Sequence, residues 1–164
     1  MFKRILPGLL SAFALLLDLS ILPLFTATPY MPQISLITVL CLGLLLGRTR
    51  GLTHGLVAGL VVDILVASPM GLQTILYTLV GYAGGIFGRT FTRHPLTPLI
   101  ASSICFLVYE IACYVYIIFA TFDFHTAALL TAFARMLIHI GGAPALFYLY
   151  EVILKPSHSR YAPR

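Results

Sequence analysis

The strongest candidates for chemistry in this sequence are six ionisable side chains that lie within its long apolar stretches. An ionisable group in an apolar membrane segment is costly unless it is paired, so each one marks a candidate site. Two of the six are four residues apart, which places them on one face of a helix. The six residues are Asp18, His54, Asp63, Glu110, Arg135 and His139.

Helical rise, counted inward from the predicted outer end of each apolar run, gives the depth of these groups. Asp18 and Arg135 come out about 10–12 Å deep, with Asp63 somewhat shallower, and Glu110 and His139 about 16–18 Å deep. The depths predict a buried polar network in which Arg135 pairs with Asp18, Asp63 or both. His139 is expected to lie near Glu110. Pairing that fixes helix register, a path for a polar substrate or proton, and a lipid or partner contact all remain open.

The sequence carries no motif that points to catalysis. It contains no G-x-S-x-G, H-E-x-x-H, phosphate-binding loop or dinucleotide fingerprint, and no His, Cys or carboxylate cluster with metal-ligand spacing. Cys41, Cys105 and Cys113 lie in apolar runs without a C-x-x-C pair, so we interpret them as packing residues. These observations predict a protein that is not an enzyme and that needs no cofactor or metal.

The composition indicates that the surroundings of the chain are mostly lipid. Of its 164 residues, 60% are hydrophobic and 9% are charged, with a mean hydropathy of +1.01. A soluble domain of this size could not bury so much apolar surface. The net charge of +5 does not indicate nucleic acid, because the basic residues stand in short groups between apolar runs, as topology determinants do.

The apolar runs predict an all-α polytopic membrane protein with six transmembrane helices in residues 1–154, followed by a basic cytoplasmic tail, 155–164. The first run resembles a signal peptide but is too long and is followed by further spans, so we interpret it as a retained helix. Pro144 in the last run predicts a kink. The predicted spans are 5–25, 34–47, 52–67, 72–88, 96–122 and 127–153.

The positions of the basic residues predict the orientation. With six crossings, all Lys and Arg residues except Arg135 fall on one side, and by the positive-inside rule that side is the cytoplasm. Both termini are therefore expected in the cytoplasm, with outer turns near Pro29, Pro69 and Asp123. His54 lies close to the cytoplasmic end of its run and is expected to reach the interface.

Residues 50–89 form the most distinctive stretch, two apolar runs joined by Ser68-Pro69-Met70-Gly71, and they predict a helical hairpin. Glycines recur at four-residue spacing in both runs, which lets another backbone approach closely. That neighbour is either the other helix of the hairpin or the single helix of a partner. We favour the internal contact because it explains glycines on both helices. The glycines expected in helix packing or at a partner face are Gly51, Gly55, Gly59, Gly71, Gly81, Gly84, Gly85 and Gly88.

The hairpin resembles the signature of the MreD family of rod-shape-determining membrane proteins. The resemblance rests on Gly55-x-x-x-Gly59-Leu-Val-Val-Asp63, on Gly71 in a short turn, and on Gly81-Tyr82 near the end of the next span. Chain length, number of spans and the prolines that open the second span and interrupt the last agree with it.

The resemblance implies a non-enzymatic component of the cell-elongation machinery in the bacterial cytoplasmic (inner) membrane. Such proteins bind MreC, a single-span coiled-coil protein that links MreB filaments to the peptidoglycan synthases; a homodimer within the complex stays open. The fold implied is similar to the substrate-binding components of energy-coupling-factor transporters.

That similarity supplies the alternative function, a membrane subunit that binds a vitamin-like small molecule. The predicted outer loops of this chain are too short to cover a bound ligand generously, which argues against this alternative. A lipid flippase or intramembrane enzyme would need a polar cavity.

Overall fold

The computed structural model describes residues 2–21, 33–65, 71–90, 96–122 and 126–154, without the side chains of residues 2–4, 21, 127 and 128. Every regular element in these ranges is a helix. The first helix ends in a π-helical turn, Leu17–Ile21. The α-helices are α1 (Phe2–Leu16), α2 (Ile34–Leu46), α3 (Arg48–Leu65), α4 (Leu72–Thr90), α5 (Thr97–Thr121) and α6 (Thr126–Leu154).

The helices match the predicted spans closely, with one informative difference. The sequence predicts a loop around Arg48 and Arg50, but α3 already begins at Arg48. Gly47 alone separates α2 from α3, and its φ of 92° lies in the left-handed region that favours glycine. The predicted outer turns near Pro29, Pro69 and Asp123 and the tail 155–164 lie outside the described residues.

Helix α2 forms the centre of the molecule. It has 13 residues, about 20 Å of helix, which is short for a bilayer core of about 30 Å. All residues from Ser35 to Leu44 are buried, mostly against α4, α3 and α6. An apolar helix that is buried on all sides needs no polar face, which explains its unbroken hydrophobic sequence. This short helix is thus enclosed by its neighbours within the bundle.

The glycines of α3 lie directly against the backbone of α4. A Cβ atom added at Gly51 would overlap the carbonyl oxygen of Gly81, and one at Gly55 would overlap the carbonyl oxygen of Tyr77. At Gly59 it would overlap Cα of Thr74. The glycine stripe is therefore covered within the chain, and α3 and α4 are the most extensively packed pair of helices.

Helix α4 uses its own glycines on two neighbours. Gly81 and Gly85 face α3 and its first residue, Arg48, whereas Gly84 and Gly88 face the carbonyl oxygens of Leu40 and Leu44 in α2. Gly43 of α2 also faces the Gly81 carbonyl, so three backbones meet at one point. The sequence did not single out Gly43.

Gly71 differs from the other glycines that were expected in packing. A Cβ added there would meet nothing within 4 Å, and its φ is 101°. The residue is required by the left-handed turn that precedes α4, because L-residues with side chains are strained in that conformation. Gly71 therefore takes no part in helix packing within the described residues, and its place on a partner face stays a prediction.

Helices α5 and α6 are longer than the other helices, and a smaller share of their residues is buried. Helix α5 has 25 residues, about 37 Å, and α6 has 29, about 43 Å. Buried residues on α5 lie between Thr97 and Glu110, and none follows as far as Phe122. Pro144 lies inside α6, which continues to Leu154; the kink itself stays a prediction.

Candidate functional site: a buried polar layer

Polar side chains from all the helices meet at the level where α2 and α4 begin. We call this group the polar layer. Its members come from the π-helical turn, the last turn of α3, the first turns of α2 and α4, and the middle of α5 and α6. They are Asp18, Gln33, Ser35, Asp63, Gln73, Thr74, Tyr77, Tyr109, Glu110, Arg135 and His139.

Asp18 holds the beginning of α2. The π-helical turn carries its carboxylate to α2, where Oδ1 accepts a hydrogen bond from the Ile34 amide at 2.8 Å and Oδ2 accepts one from the Ser35 amide at 2.7 Å. The N-cap residue Gln33 makes no side-chain capping bond of its own. Asp18 therefore replaces a local cap, since the first N–H groups of a helix have no partner within it and attract negative charge.

Asp63 does the same for α4. Its carboxylate accepts hydrogen bonds from the amides of Gly71 at 3.1 Å, Gln73 at 3.1 Å and Thr74 at 2.9 Å, and one from the Thr74 hydroxyl. Asp63 is 6% exposed, so its buried carboxylate depends on these donors for its hydrogen bonds. An aspartate at the end of one hairpin helix thus fixes the start of the next.

Tyr109 of α5 joins the two helix starts. Its hydroxyl lies 2.7 Å from Oε1 of Gln33 and 2.8 Å from Oε1 of Gln73. A hydroxyl has one hydrogen, so Tyr109 donates to one of these side-chain amides and accepts a hydrogen bond from the NH2 group of the other. The ring of Tyr109 meets the ring of Tyr77 edge to face at 6.3 Å, and the Tyr77 hydroxyl bonds the Ser35 hydroxyl at 2.9 Å.

Glu110 and Arg135 form an ion pair between α5 and α6. Nη2 of Arg135 donates to Oε2 of Glu110 at 2.6 Å. The side chain of Glu110 is 6% exposed and that of Arg135 is 24% exposed, so the carboxylate is the more deeply buried partner. A buried carboxylate without its cation would be strongly destabilising, which makes this pair necessary to the hairpin even if it adds little net stability.

His139 connects the hairpin to α2. Its Nε2 accepts a hydrogen bond from the Gln33 backbone N–H at 2.9 Å, and the side chain is fully buried. Its Nδ1 lies 3.9 Å from Oε1 of Glu110, too far for a direct hydrogen bond. The Phe106 ring packs against the imidazole ring, with 5.1 Å between the two ring centroids.

The predicted partner of Arg135 was wrong, and the geometry gives the reason. Asp18 and Asp63 are both bound to backbone amides at helix starts. The depths predicted from the sequence differ between Glu110 and Arg135 by only about one helical turn, or about 5.4 Å, a distance that an arginine side chain can span. Equal depth was the wrong criterion for so long a side chain, whereas the predicted proximity of His139 to Glu110 matches the observed 3.9 Å.

The sequence alone did not indicate a role for Tyr77 and Tyr109. It also did not indicate partners for Gln33 and Gln73. A usable signal exists for the tyrosines, because a buried hydroxyl needs a hydrogen-bond partner. Both lie in apolar runs, and both are about 1% exposed. The glutamines flank the beginnings of two helices, where the chain gives no other sign of what they contact.

The contacts of the polar layer are structural. Most of its groups bond one another or helix amides. Among the described residues, no three His, Cys, Asp or Glu side chains come together as a metal site. The arrangement fixes helix starts and joins the α5–α6 hairpin to α2 and α4.

The described residues form an all-helical protein, and its apolar composition is typical of a membrane protein. Within the described part of the chain, two helices are long and apolar enough to cross a membrane, Thr97–Thr121 and Leu129–Leu154, and Ile5–Ser20 and Ile34–Leu46 are shorter apolar helices. The family model of the rod shape-determining protein MreD matches residues 2–154. The chain therefore belongs to the MreD family, which confirms the resemblance seen in the hairpin. No curated protein and no solved structure matches the chain.

Proposed function

We propose that this protein is a non-enzymatic multi-pass component of the bacterial rod-shape machinery in the cytoplasmic membrane. We further propose that it binds an MreC-like single-span coiled-coil protein and so helps to couple MreB filaments, indirectly, to the peptidoglycan synthases. The observation that carries the proposal is the family match over residues 2–154. Six membrane crossings, with residues 155–164 as a cytoplasmic tail, belong to the same proposal.

The helix packing narrows the surface on which such a partner could bind. The glycine stripe of α3 is covered by α4, so it is not free to receive another helix. The outer half of the α5–α6 hairpin, described here as 111–122 and 126–138, is different. Among its described side chains only Ala132 is buried. We propose that this half of the hairpin, with its large apolar side chains, receives the partner's single helix.

A site-specific crosslinking experiment tests partner and surface together. A photoreactive amino acid replaces Phe119, which is 71% exposed on α5, or Ile64, which is 68% exposed on α3 and serves as the matched control. Crosslinks to the MreC-like protein are expected from position 119 and not from position 64. Crosslinks from position 64 alone would contradict the assigned surface. If the two proteins also fail to co-purify from the native membrane, the proposed partnership is wrong.

The proposed orientation has its own test. Single cysteines at Thr28, Ser68 and Thr126 should react with an impermeant reagent added outside intact cells, whereas one at Thr92 should not. Labelling at Thr92 with protection of the other three positions would reverse the orientation.

The polar layer favours a second candidate, a small-molecule binding subunit related in fold to the substrate-binding components of energy-coupling-factor transporters. Its glutamine and tyrosine side chains are the groups that could bind a polar ligand, although Gln33, Gln73 and Tyr109 bond one another. Co-purification distinguishes the candidates, since this alternative requires transporter ATPases in place of a coiled-coil partner.

A further inference from the structure

Three buried polar atoms in the middle of the α5–α6 hairpin have no hydrogen-bond partner among the residues that the structure describes. They are Oε1 of Glu110, Nε of Arg135 and Nδ1 of His139. The same three side chains are otherwise engaged, through Glu110 Oε2, Arg135 Nη2 and His139 Nε2. Buried polar atoms are nearly always bonded, so three that share one neighbourhood call for a common partner.

The hydrogen-bonding role of each atom follows from its neighbours. Because Nε2 of His139 accepts the Gln33 N–H, it carries no proton, and the neutral ring must hold its proton on Nδ1. Arg135 Nε is always a donor, and an ionised Glu110 offers Oε1 as an acceptor. The three atoms therefore present two donors and one acceptor.

An oxygen that carries hydrogen meets this requirement, since it accepts two hydrogen bonds and donates one. The separation of 3.9 Å between Glu110 Oε1 and His139 Nδ1 is too long for a direct bond, but two atoms so placed can share one small molecule. The imidazole is fully buried and Phe106 lies against it, so the position suits a molecule as small as water. Buried waters typically make about three such bonds.

We propose that Glu110 Oε1, Arg135 Nε and His139 Nδ1 together bind one water molecule, which accepts hydrogen bonds from the two nitrogens and donates one to the carboxylate. The bound water completes the polar contact between α5 and α6. Through the other nitrogen of His139, it is linked to the first turn of α2.

Solid-state NMR of the full chain in lipid bilayers tests the proposal directly. With ¹⁵N-labelled histidine and arginine, His139 should be neutral with its proton on Nδ1, and magnetisation should pass from water to both His139 Nδ1–H and Arg135 Nε–H. A proton on Nε2 would overturn the proposal. So would a direct Nδ1–Glu110 carboxylate hydrogen bond without transfer from water.

Two substitutions of the same residue separate the water from the contact with α2. His139→Asn keeps an N–H near the Nδ1 position and loses the acceptor for the Gln33 amide. His139→Gln can keep that acceptor and loses the N–H. Transfer from water to Arg135 Nε–H should persist in the Asn variant and fall in the Gln variant, and the opposite order would contradict the proposal. If neither variant folds, the measurement on the unaltered protein still decides.

Discussion

A methyl group added at Gly51 in α3 would overlap a backbone carbonyl of α4, whereas at Gly141 in α6 it would meet nothing within 4 Å. The contrast extends to whole regions. Around α2, α3 and α4, backbones touch through glycines. The α5–α6 hairpin instead contacts its neighbours through larger side chains such as Phe106 and Tyr109. It also contacts them through a hydrogen bond of the Tyr109 hydroxyl and one that His139 accepts.

This difference shows two ways of joining helices where lipid removes the hydrophobic advantage of helix association. Close backbone approach gains van der Waals contact but tolerates no added side chain. Polar contacts fix a specific geometry, and they depend on the presence of both polar partners more than on the apolar side chains around them. We therefore expect α2–α4 to be sensitive to added volume and the α5–α6 hairpin to be sensitive to lost polar partners.

The largest effect should come from breaking the buried ion pair. Arg135→Leu leaves the Glu110 carboxylate buried without its cation, which we expect to lower the free energy of unfolding by about 3–5 kcal/mol. The double variant with Glu110→Leu should recover much of that loss. Unfolding in mixed micelles measures both. Additive losses would show that the two charges are not coupled and would remove the polar side of the comparison.

Added volume should separate the two regions by a smaller amount. Gly51→Ala forces a methyl group against the Gly81 carbonyl and should cost about 1–3 kcal/mol. The matched variant Gly141→Ala adds the same methyl group in open space and should be neutral or gain up to about 1 kcal/mol of helix propensity. Equal losses in the two variants would mean that close backbone contact does not distinguish the regions.

The sequence predicts the glycine region well because its signal is local. Four-residue spacing in two neighbouring runs favoured α4 over a partner's helix as the neighbour of Gly51, Gly55 and Gly59, and the structure shows that contact. Gly43 was missed although Gly47 follows it at the same four-residue spacing, because its partner Gly81 lies 38 residues away in the chain.

The polar layer is predicted less completely, because composition identifies its charged members but not their partners. Asp18 and Asp63 were correctly singled out as members of the polar layer, and Asp63 is buried whereas Asp18 is half-buried. Pairing charge with charge nevertheless overlooked helix amides as the competing partners. Which helix start lies beside which carboxylate depends on the π-helical turn and on helix position, and neither can be read from one sequence.

A capping change should have an intermediate, local effect. Asp63→Asn replaces one acceptor oxygen with an NH2 group that faces the amides at the start of α4, which should cost about 1–2 kcal/mol. Amide hydrogen exchange should accelerate at Gly71, Gln73 and Thr74 more than in the middle of α4. The matched variant Thr74→Val removes the hydroxyl donor alone and should have the smaller effect. Uniform acceleration along α4 would show that Asp63 stabilises the whole hairpin and not its turn.

The smallest expected effect concerns the contact between α2 and α6, where the two regions meet. The hydroxyls of Thr38 and Tyr150 lie 2.9 Å apart, and Thr38 Oγ1 also donates to the Ile34 carbonyl, so the shared hydrogen must come from Tyr150. Tyr150→Phe removes this donor while Thr38 keeps its own bond, and should cost about 0.5–1.5 kcal/mol. Tyr116→Phe, at a residue 37% exposed on α5, is the matched control and should be neutral. The difference in free energy of unfolding between the two variants measures the bond. If Tyr150→Phe is as neutral as its control, apolar packing alone holds α6 to α2 at this level, and the polar attachment of the hairpin is confined to the layer around His139.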